Sequence, residues 1–335
     1  MVERIDFESK ILKGNPLKNP TKRKLIVYLP PEYDKKRKDP YPVIFLLSGF
    51  YGRGIRFLNE DSLFSPTLPD RFDQMIRKNE LPPFIVVMPD GSTKFGGSQY
   101  VNSETNGRFM DYICDELIPY VDTHFHTHRN KEVRGVMGHS SGGFGAMALS
   151  MIRPDSFRYF CSSAGDSWYE WIYVQPIPMM VKEIDQAKGV SKFLQKYFES
   201  PNPLALTSHT QNETLMNLAM CAAYAPNPKV DTLMGDLYFD LHTGELIPEI
   251  WKKFLNWDPV FMVDRYKDAL KKMKWIHLEA GLEDEYALHI GHRQISRKLK
   301  KYGIPHELTE YPGKHGGHNY RYGMRIKKML AKMPI

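Results

Sequence analysis

Two short apolar runs constrain the fold of this 335-residue chain more than any other feature of its sequence. Residues 43–47 (VIFLL) stop at Ser48, and residues 84–88 (FIVVM) stop at Pro89. Both runs are continuous rather than alternating, which is typical of a strand that is buried on both faces of a parallel sheet. We therefore expect a parallel sheet that carries further structure on each face.

Strands and helices alternate along most of the chain. An upstream strand at 24–29 suits an antiparallel position near the sheet edge. Other predicted strands lie at 133–137, 275–280 and about 306–311, and predicted helices lie at 107–123, 145–149, about 286–302 and about 321–332. This alternation predicts an α/β fold with a mostly parallel central sheet and helices on both faces.

The stretch from about 166 to 255 breaks the alternation. It contains two amphipathic patterns, near 189–199 and 212–222, that predict helices. We interpret it as a helical cap inserted over the carboxyl edge of the sheet. The chain is then one domain, 1–335, with a cap or lid insertion at about 166–255.

A serine between glycines lies where a predicted strand meets a predicted helix. Ser140 is the central residue of the pentapeptide GHSSG, flanked by Gly138 and Gly142. In a strand–turn–helix context, a G-x-S-x-G pentapeptide predicts a sharp turn that exposes the serine hydroxyl at the top of the sheet. Ser140 is therefore the candidate nucleophile.

A serine hydroxyl needs a histidine to take its proton and a carboxylate to orient that histidine. Asp284 follows a late strand, and we prefer it to its neighbours Glu283 and Glu285. His315 and His318 both lie between the last strand and the closing helix, and sequence spacing alone does not separate them.

Backbone N–H groups of Phe50 and Ser141 are the candidates for an oxyanion hole. Phe50 lies in the loop after the strand at 43–47, where Tyr51 is the alternative donor, and Ser141 opens the helix after the nucleophile. The aromatic residues Trp168, Tyr169 and Trp171 begin the insertion. They would either bind substrate as the wall of a pocket or form the core of the cap.

Composition argues against several kinds of partner. The net charge is +7, but the basic residues are dispersed and their clusters at 35–38 and 298–301 are short, so we expect no nucleic-acid partner. No run approaches 18 apolar residues, so we expect no membrane span. Three cysteines without a CxxC pattern suit a reducing compartment, and the N-terminus lacks the apolar region of a signal peptide. We expect a cytoplasmic protein.

Three alternating histidines, His124, His126 and His128, would share one face of a strand and could bind a metal there. They follow a predicted helix and precede Arg129 and Asn130, which favours a solvated loop instead. We therefore expect no metal and no cofactor.

Several segments, in this order, resemble the putative-esterase family of α/β-hydrolases, which includes esterase D, enterochelin esterases, feruloyl esterases and mycolyltransferases. The resemblance covers roughly residues 24–165 and 255–332. It rests on YPVIFLLSG (41–49), VMPDG (87–91), GHSSGGFGA (138–146), GLED (281–284) and GGH (316–318). It implies an α/β-hydrolase fold, and it favours His318 over His315 as the base because GGH and the following helix then align together. One departure is Ser48, where the family usually has a histidine before the glycine.

The sequence as a whole predicts a serine esterase that cleaves a small-molecule carboxylic ester through an acyl-enzyme, with Ser140, Asp284 and His318 as the triad. Two alternatives stay open. One is an acyltransferase to an acceptor other than water, and the other is a non-catalytic binding protein with the hydrolase fold. The sequence also leaves room for a homo-oligomer.

Overall fold

A mixed sheet organises the molecule. The computed structural model describes residues 1–60, 65–202 and 208–335. Within these residues, eight strands form one sheet in the order β1-β2-β4-β3-β7-β8-β9-β10, and β5 pairs with β6 in a small ribbon. The strands are β1 Val2–Glu8, β2 Lys22–Tyr28, β3 Val43–Leu47, β4 Ile85–Met88, β5 Asn102–Ser103, β6 Gly107–Arg108, β7 Arg134–His139, β8 Tyr159–Ser163, β9 Trp275–Gly281 and β10 Glu307–Tyr311.

Helices fill most of the chain between these strands. Those in the described residues are α1 Leu68–Arg77, α2 Phe109–Asp111, α3 Ile118–His124, α4 Ser141–Ile152, α5 Tyr169–Ile172, α6 Ile177–Gln186, α7 Val190–Glu199, α8 His209–Tyr224, α9 Pro248–Leu255, α10 Pro259–Lys271, α11 Leu288–Lys301 and α12 Tyr322–Leu330. A π-helical turn, Tyr112–Leu117, joins α2 to α3, so the helix predicted at 107–123 exists but is not uniformly α-helical.

The sheet is mostly parallel, as predicted. From β4 to β10 each neighbouring pair is parallel, whereas β1–β2 and β2–β4 are antiparallel. The strand predicted at 24–29 is β2 and is antiparallel as expected, but β1 lies outside it at the edge. Strand β1 alternates between exposed and half-buried residues, which is the pattern of an edge strand with one solvated face.

Both faces of the sheet are covered. Successive side chains of a strand point to opposite faces, and on β3 the residues Phe45 and Leu47 join one apolar cluster while Ile44 and Leu46 join the other. Residues of α3 and α4 contribute to the first cluster, and residues of α1 and α12 contribute to the second. The expectation of helices on both faces is therefore confirmed.

The segment after β8 is helical, as the sequence predicts. The helices expected near 189–199 and 212–222 are α7 and α8. Helix α8 begins earlier than predicted because the side chain of Ser208 caps it and Gln211 completes a capping box. Residues 203–207 of this segment lie outside the described residues. The division into one domain with an insertion at 166–255 stays a prediction.

Membrane-spanning helices and clusters of metal-ligating side chains are both absent from the described residues. None of the helices in 1–60, 65–202 and 208–335 combines the length and apolar character that crossing a bilayer requires. Across the same ranges, no three His, Cys, Asp or Glu side chains are grouped as metal ligands. His124 contacts the carbonyl of Tyr120, and His126 contacts that of Arg37.

Candidate active site

Ser140 lies at a sharp turn between β7 and α4. Its backbone has φ 57° and ψ −127°, a conformation that a non-glycine residue adopts only under strain. The backbone segments at this turn pack so closely that they leave no room for a Cβ atom on either flanking glycine. A Cβ on Gly138 would lie 2.4 Å from the carbonyl of Gly142, and a Cβ on Gly142 would lie 2.3 Å from the carbonyl oxygen of Leu47. Glycine is therefore required at both positions.

His315 joins Ser140 to Asp284. Its Nε2 lies 3.0 Å from Oγ of Ser140, and its Nδ1 lies 2.9 Å from Oδ2 of Asp284. The carboxyl of Asp284 is buried, and its other oxygen accepts the N–H of Tyr286 at 2.9 Å. The three side chains thus have the connectivity of a nucleophile, a base and an orienting carboxylate.

The preference for His318 is corrected by this geometry. The imidazole of His318 contacts the carbonyl of Lys314 and packs edge-on against Tyr311, with ring centroids 4.9 Å apart. Gly313 and Gly317 both have positive φ, so the loop between them turns in a way that spacing does not reveal. The N–H of Glu283 also donates to the carbonyl of Gly313, which holds the two loops together and brings His315 to Asp284.

The loop after β3 borders the nucleophile. A Cβ on Gly49 would lie 3.5 Å from Cβ of Ser140. Ser48, which departs from the family pattern, is fixed by Tyr100, whose hydroxyl lies 3.1 Å from Oγ of Ser48 and donates to its carbonyl at 2.8 Å. The assignment of Phe50 or Tyr51 as a backbone donor from this loop stays a prediction.

Ser141 is the first residue of α4. The N–H groups of a first helical turn have no acceptor within the helix and carry the positive end of its dipole. Ser141 is therefore suited to stabilise negative charge that develops beside Ser140, as the sequence predicts.

A cavity of about 760 Å³ opens at Ser140 and His315. Its size lies in the range of small-molecule sites, about 300–1,000 Å³. The loop after β3, the first turns of α8 and the loop around His315 all contribute to its wall.

Trp168, Tyr169 and Trp171, for which the sequence left two roles open, do not line this cavity. Tyr169 is fully buried and stacks on Tyr224, so it belongs to the apolar core. The two tryptophans stack on each other with centroids 5.4 Å apart, and neither lines the cavity. Their neighbours Ile172 and Tyr173 line it instead.

Sequence reasoning missed Asp166, which lines the cavity just beyond the carboxyl end of β8. Ligands of open α/β sheets bind outside the carboxyl ends of the strands, so its position was the available signal. The signal was weak because β8 (YFCSS) contains no apolar run like that of β3.

Below the loop of His315, a buried carboxylate binds two arginines. Glu279 on β9 accepts hydrogen bonds from Arg321 at 3.2 and 3.1 Å, and it is also paired with Arg325. Glu279 and Arg325 are completely buried. Burial alone would raise the pKa of Glu279, but the two arginines outweigh it and hold that pKa below its usual range.

Comparison with known sequences finds similarity to proteins that are named esterases. The model of the family described as "Putative esterase" matches residues 18–333. A protein named esterase from Mycobacterium tuberculosis is 31% identical over 311 residues, which cover 92% of this chain and 54% of that protein. An endo-1,4-beta-xylanase/feruloyl esterase from Xylanibacter ruminicola is 29% identical over 186 residues, which cover 53% of this chain and 23% of that protein. The chain thus spans about a quarter to about half the length of these relatives.

Solved structures agree at the level of the fold. A ferulic acid esterase superposes with a TM-score of 0.58 at 15% identity, covering 99% of this chain and 97% of that one. An S-formylglutathione hydrolase from Staphylococcus aureus gives 0.56 at 15% identity, covering 99% of both chains. The predicted α/β-hydrolase fold is confirmed. Because the family model spans nearly the whole sequence, the chain belongs to the putative-esterase family.

Proposed function

We propose that this chain hydrolyses small carboxylic esters through an acyl-enzyme on Ser140. The observation that carries the proposal is the pair of contacts made by His315, 3.0 Å to Ser140 and 2.9 Å to Asp284. Membership in an esterase family supports the same reaction class. The similar proteins carry names with different substrates, feruloyl esters and S-formylglutathione, so we transfer no particular substrate from them.

In the first half-reaction, Oγ of Ser140 attacks the ester carbonyl carbon. His315 is neutral at the start, with Nδ1–H donating to Asp284 and the lone pair of Nε2 facing the serine hydroxyl. As the C–O bond to Ser140 forms, the hydroxyl proton moves to Nε2. Asp284 stabilises the imidazolium and keeps it oriented.

The tetrahedral intermediate carries negative charge on the former carbonyl oxygen. The N–H of Ser141 and a backbone N–H from the loop after β3, that of Phe50 or Tyr51, donate to it. Preorganised donors of this kind account for a large part of the rate enhancement in acyl transfer. When the intermediate collapses, the bond to the alcohol oxygen breaks and the proton on His315 passes to the leaving alcohol.

Water completes the cycle. His315 takes a proton from a water molecule whose oxygen attacks the acyl carbon, and the second tetrahedral intermediate collapses to release the acid. The proton then returns from His315 to Oγ of Ser140. The chain is left as it began, and no cofactor enters either half-reaction.

The test is hydrolysis of p-nitrophenyl acetate together with labelling by a fluorophosphonate probe. The wild-type protein should hydrolyse the ester and carry the probe on Ser140, as located by peptide mass spectrometry. Ser140→Ala should lose both properties while keeping its circular dichroism spectrum. Ser191→Ala, which replaces an exposed serine on α7, is the matched control and should keep both.

Two results would contradict the proposal. A folded wild-type protein that neither cleaves esters nor takes up the probe would favour a non-catalytic binding role. Formation of a new ester with an added alcohol or sugar, at the expense of the free acid, would favour acyl transfer to an acceptor other than water.

A further inference from the structure

We propose that Asp166 is a specificity residue that binds a protonated amine of the ester substrate beside the reacting carbonyl. The inference deepens the proposed esterase function and, for the reaction itself, rests on it. It assigns the cavity a substrate class, esters that carry an ammonium group.

Asp166 lies close to the candidate nucleophile. It follows β8, and its Oδ2 is 3.5 Å from Oγ of Ser141, the residue next to Ser140. Asp166 and Ser140 line the same cavity. A group bound by Asp166 therefore belongs to the molecule whose carbonyl lies at Ser140.

One oxygen of this carboxyl is satisfied by the protein, and the other accepts no hydrogen bond from the described residues. Oδ2 accepts a hydrogen bond from Nε2 of Gln99 at 2.8 Å. Within the described residues, Oδ1 accepts no hydrogen bond. It is also not sealed from solvent by the surrounding protein. Oδ1 is therefore available to a ligand in the cavity.

Asp166 has no cationic partner of its own in the described part of the chain. The contacts that hold it come from the neutral side chains of Gln99 and Ser141. Burial raises the pKa of Asp166, although the hydrogen bond from Gln99 opposes this effect. Asp166 is partly buried, and a carboxyl group with a shifted pKa that lines a cavity without a counter-ion is a candidate for ligand binding.

Charge within the cavity favours a cation at this position. Asp166 and the lining residue Glu213 both act on Tyr286, whose pKa is raised to about 12, mainly by burial and then by these carboxylates. The lining arginines, Arg56 and Arg325, act on Tyr322, and Arg325 also acts on His139 beside Ser140. Asp166 and Glu213 therefore share the part of the wall around Tyr286, and an ammonium group complements their charge.

The substitution that tests the proposal is Asp166→Asn, which removes the charge and keeps the shape. Oε1 of Gln99 is buried without a partner. Rotating the Gln99 amide would let it accept a hydrogen bond from the amide introduced at position 166, so we expect the variant to fold. Asp268→Asn, at an exposed aspartate on α10, is the matched control for the loss of one negative charge.

Matched esters distinguish an amine on the acyl group from one on the alcohol. The acyl arm compares p-nitrophenyl 3-aminopropanoate with the 3-hydroxypropanoate and butanoate esters. The alcohol arm compares 2-(dimethylamino)ethyl acetate with isopentyl acetate. We expect wild-type kcat/KM to favour the amine in one arm by about 10-fold or more, the equivalent of about 1.4 kcal/mol. Asp166→Asn should bring that ratio close to one, and Asp268→Asn should keep it.

A binding measurement makes the inference independent of turnover. Calorimetric titration with butylammonium chloride, with butan-1-ol as the neutral comparator, should show amine binding that Asp166→Asn weakens about 10-fold and Asp268→Asn does not. The inference is overturned if neither arm favours the amine, if the hydroxyl ester is preferred to the amine, or if Asp166→Asn changes neither the ratio nor the binding. Hydrolysis of the neutral esters without any amine preference would refute this inference alone, whereas absence of all hydrolysis would refute the esterase function.

Discussion

The imidazole of His139 packs against that of His315, with ring centroids 4.7 Å apart. Tyr286 approaches the His315 ring edge-on, at 4.8 Å. His139 directly precedes Ser140, so the end of β7 supplies both the nucleophile and a support for its base. Burial, followed by the neighbouring His315, lowers the pKa of His139 well below its usual value. His139 is therefore neutral at neutral pH and adds no positive charge when His315 accepts a proton.

Replacing each histidine of the closing loop distinguishes their roles. His315→Ala removes the side chain that contacts both Ser140 and Asp284, and kcat/KM should fall by about 10³-fold or more. His318→Ala removes a ring that contacts Lys314 and Tyr311, so the loss should stay within about 10-fold. Initial rates with p-nitrophenyl acetate measure kcat/KM for both variants. A larger loss in His318→Ala than in His315→Ala would make His318 the base.

Asp284→Asn tests the orienting carboxylate. The amide cannot accept the Nδ1–H of His315 as the carboxylate does, and it favours the wrong tautomer of the ring. We expect kcat to fall by about 10³-fold to 10⁴-fold with little change in KM. Glu283→Gln, one residue earlier and exposed, is the matched control and should retain activity. Equal losses in the two variants would contradict the assignment.

Gly142→Ala tests the close approach at the nucleophile turn. The new Cβ would meet the carbonyl oxygen of Leu47 at 2.3 Å, and a backbone atom of a central strand cannot move aside cheaply. We expect the free energy of unfolding to fall by about 3 kcal/mol, together with most of the activity. Gly316→Ala, where an added Cβ meets nothing within 4 Å, should leave stability nearly unchanged. Urea denaturation followed by tryptophan fluorescence measures the free energy of unfolding of both variants.

Two buried histidines, His277 and His292, should make the folded protein less stable in mild acid. Burial lowers the pKa of His277 and of His292 to about 4, from an ordinary value of 6.5. The unfolded chain then binds more protons than the folded one between these values, so stability is fully present above pH 6.5 and is lost as the pH falls towards 4. Each histidine should contribute a loss of about 3 kcal/mol by pH 4.

The measurement is the free energy of unfolding in urea at several pH values from 7 to 4.5. His292→Asn should reduce the slope, because the ring of His292 is neutral where Nε2 accepts the N–H of Gly165 at 3.2 Å. His277→Asn should reduce it by a similar amount. A slope that neither substitution changes would show that other groups govern the acid response.

The buried ion pair between Glu279 and Arg325 should behave as a coupled unit. Glu279→Gln leaves Arg325 buried without its partner and should cost about 3–5 kcal/mol, whereas Arg325→Met leaves Glu279 paired with Arg321 and should cost less. The double variant should cost less than the sum of the two, because the charge of Arg325 is then removed together with its partner. Additive losses in a double-mutant cycle would contradict the coupling.

The sequence predicts the parts of the site that depend on neighbouring residues. The strand, the helix and the glycines around Ser140 are adjacent in the chain, and Asp284 follows a recognisable strand. The choice between His315 and His318 depends instead on positive φ at Gly313 and on a hydrogen bond from another loop. Neither signal is visible in residue types or in spacing.

The sequence predicts the residues of the cavity wall less well than the nucleophile. The wall, too, depends on contacts between residues that are distant in the chain. Whether an aromatic residue of the insertion faces the cavity depends on how its helix is rotated. Asp258 accepts the N–H groups of Trp168 and Tyr169 at 3.2 and 2.8 Å, and it thereby fixes the start of α5 so that Tyr169 enters the core. Asp258 lies about 90 residues away in sequence, and no local pattern connects the two segments.

The charges around Glu279 also set an order of events during synthesis. Its two arginine partners follow it by 42 and 46 residues, so the ribosome adds them after Glu279. At ~5–20 residues per second this delay is roughly 2 to 9 s. Until α12 is made, insertion of β9 between β8 and β10 would bury the carboxylate of Glu279 without an arginine beside it. We therefore expect β9, and with it the loop that carries His315, to reach its folded position only after α12 has been synthesised.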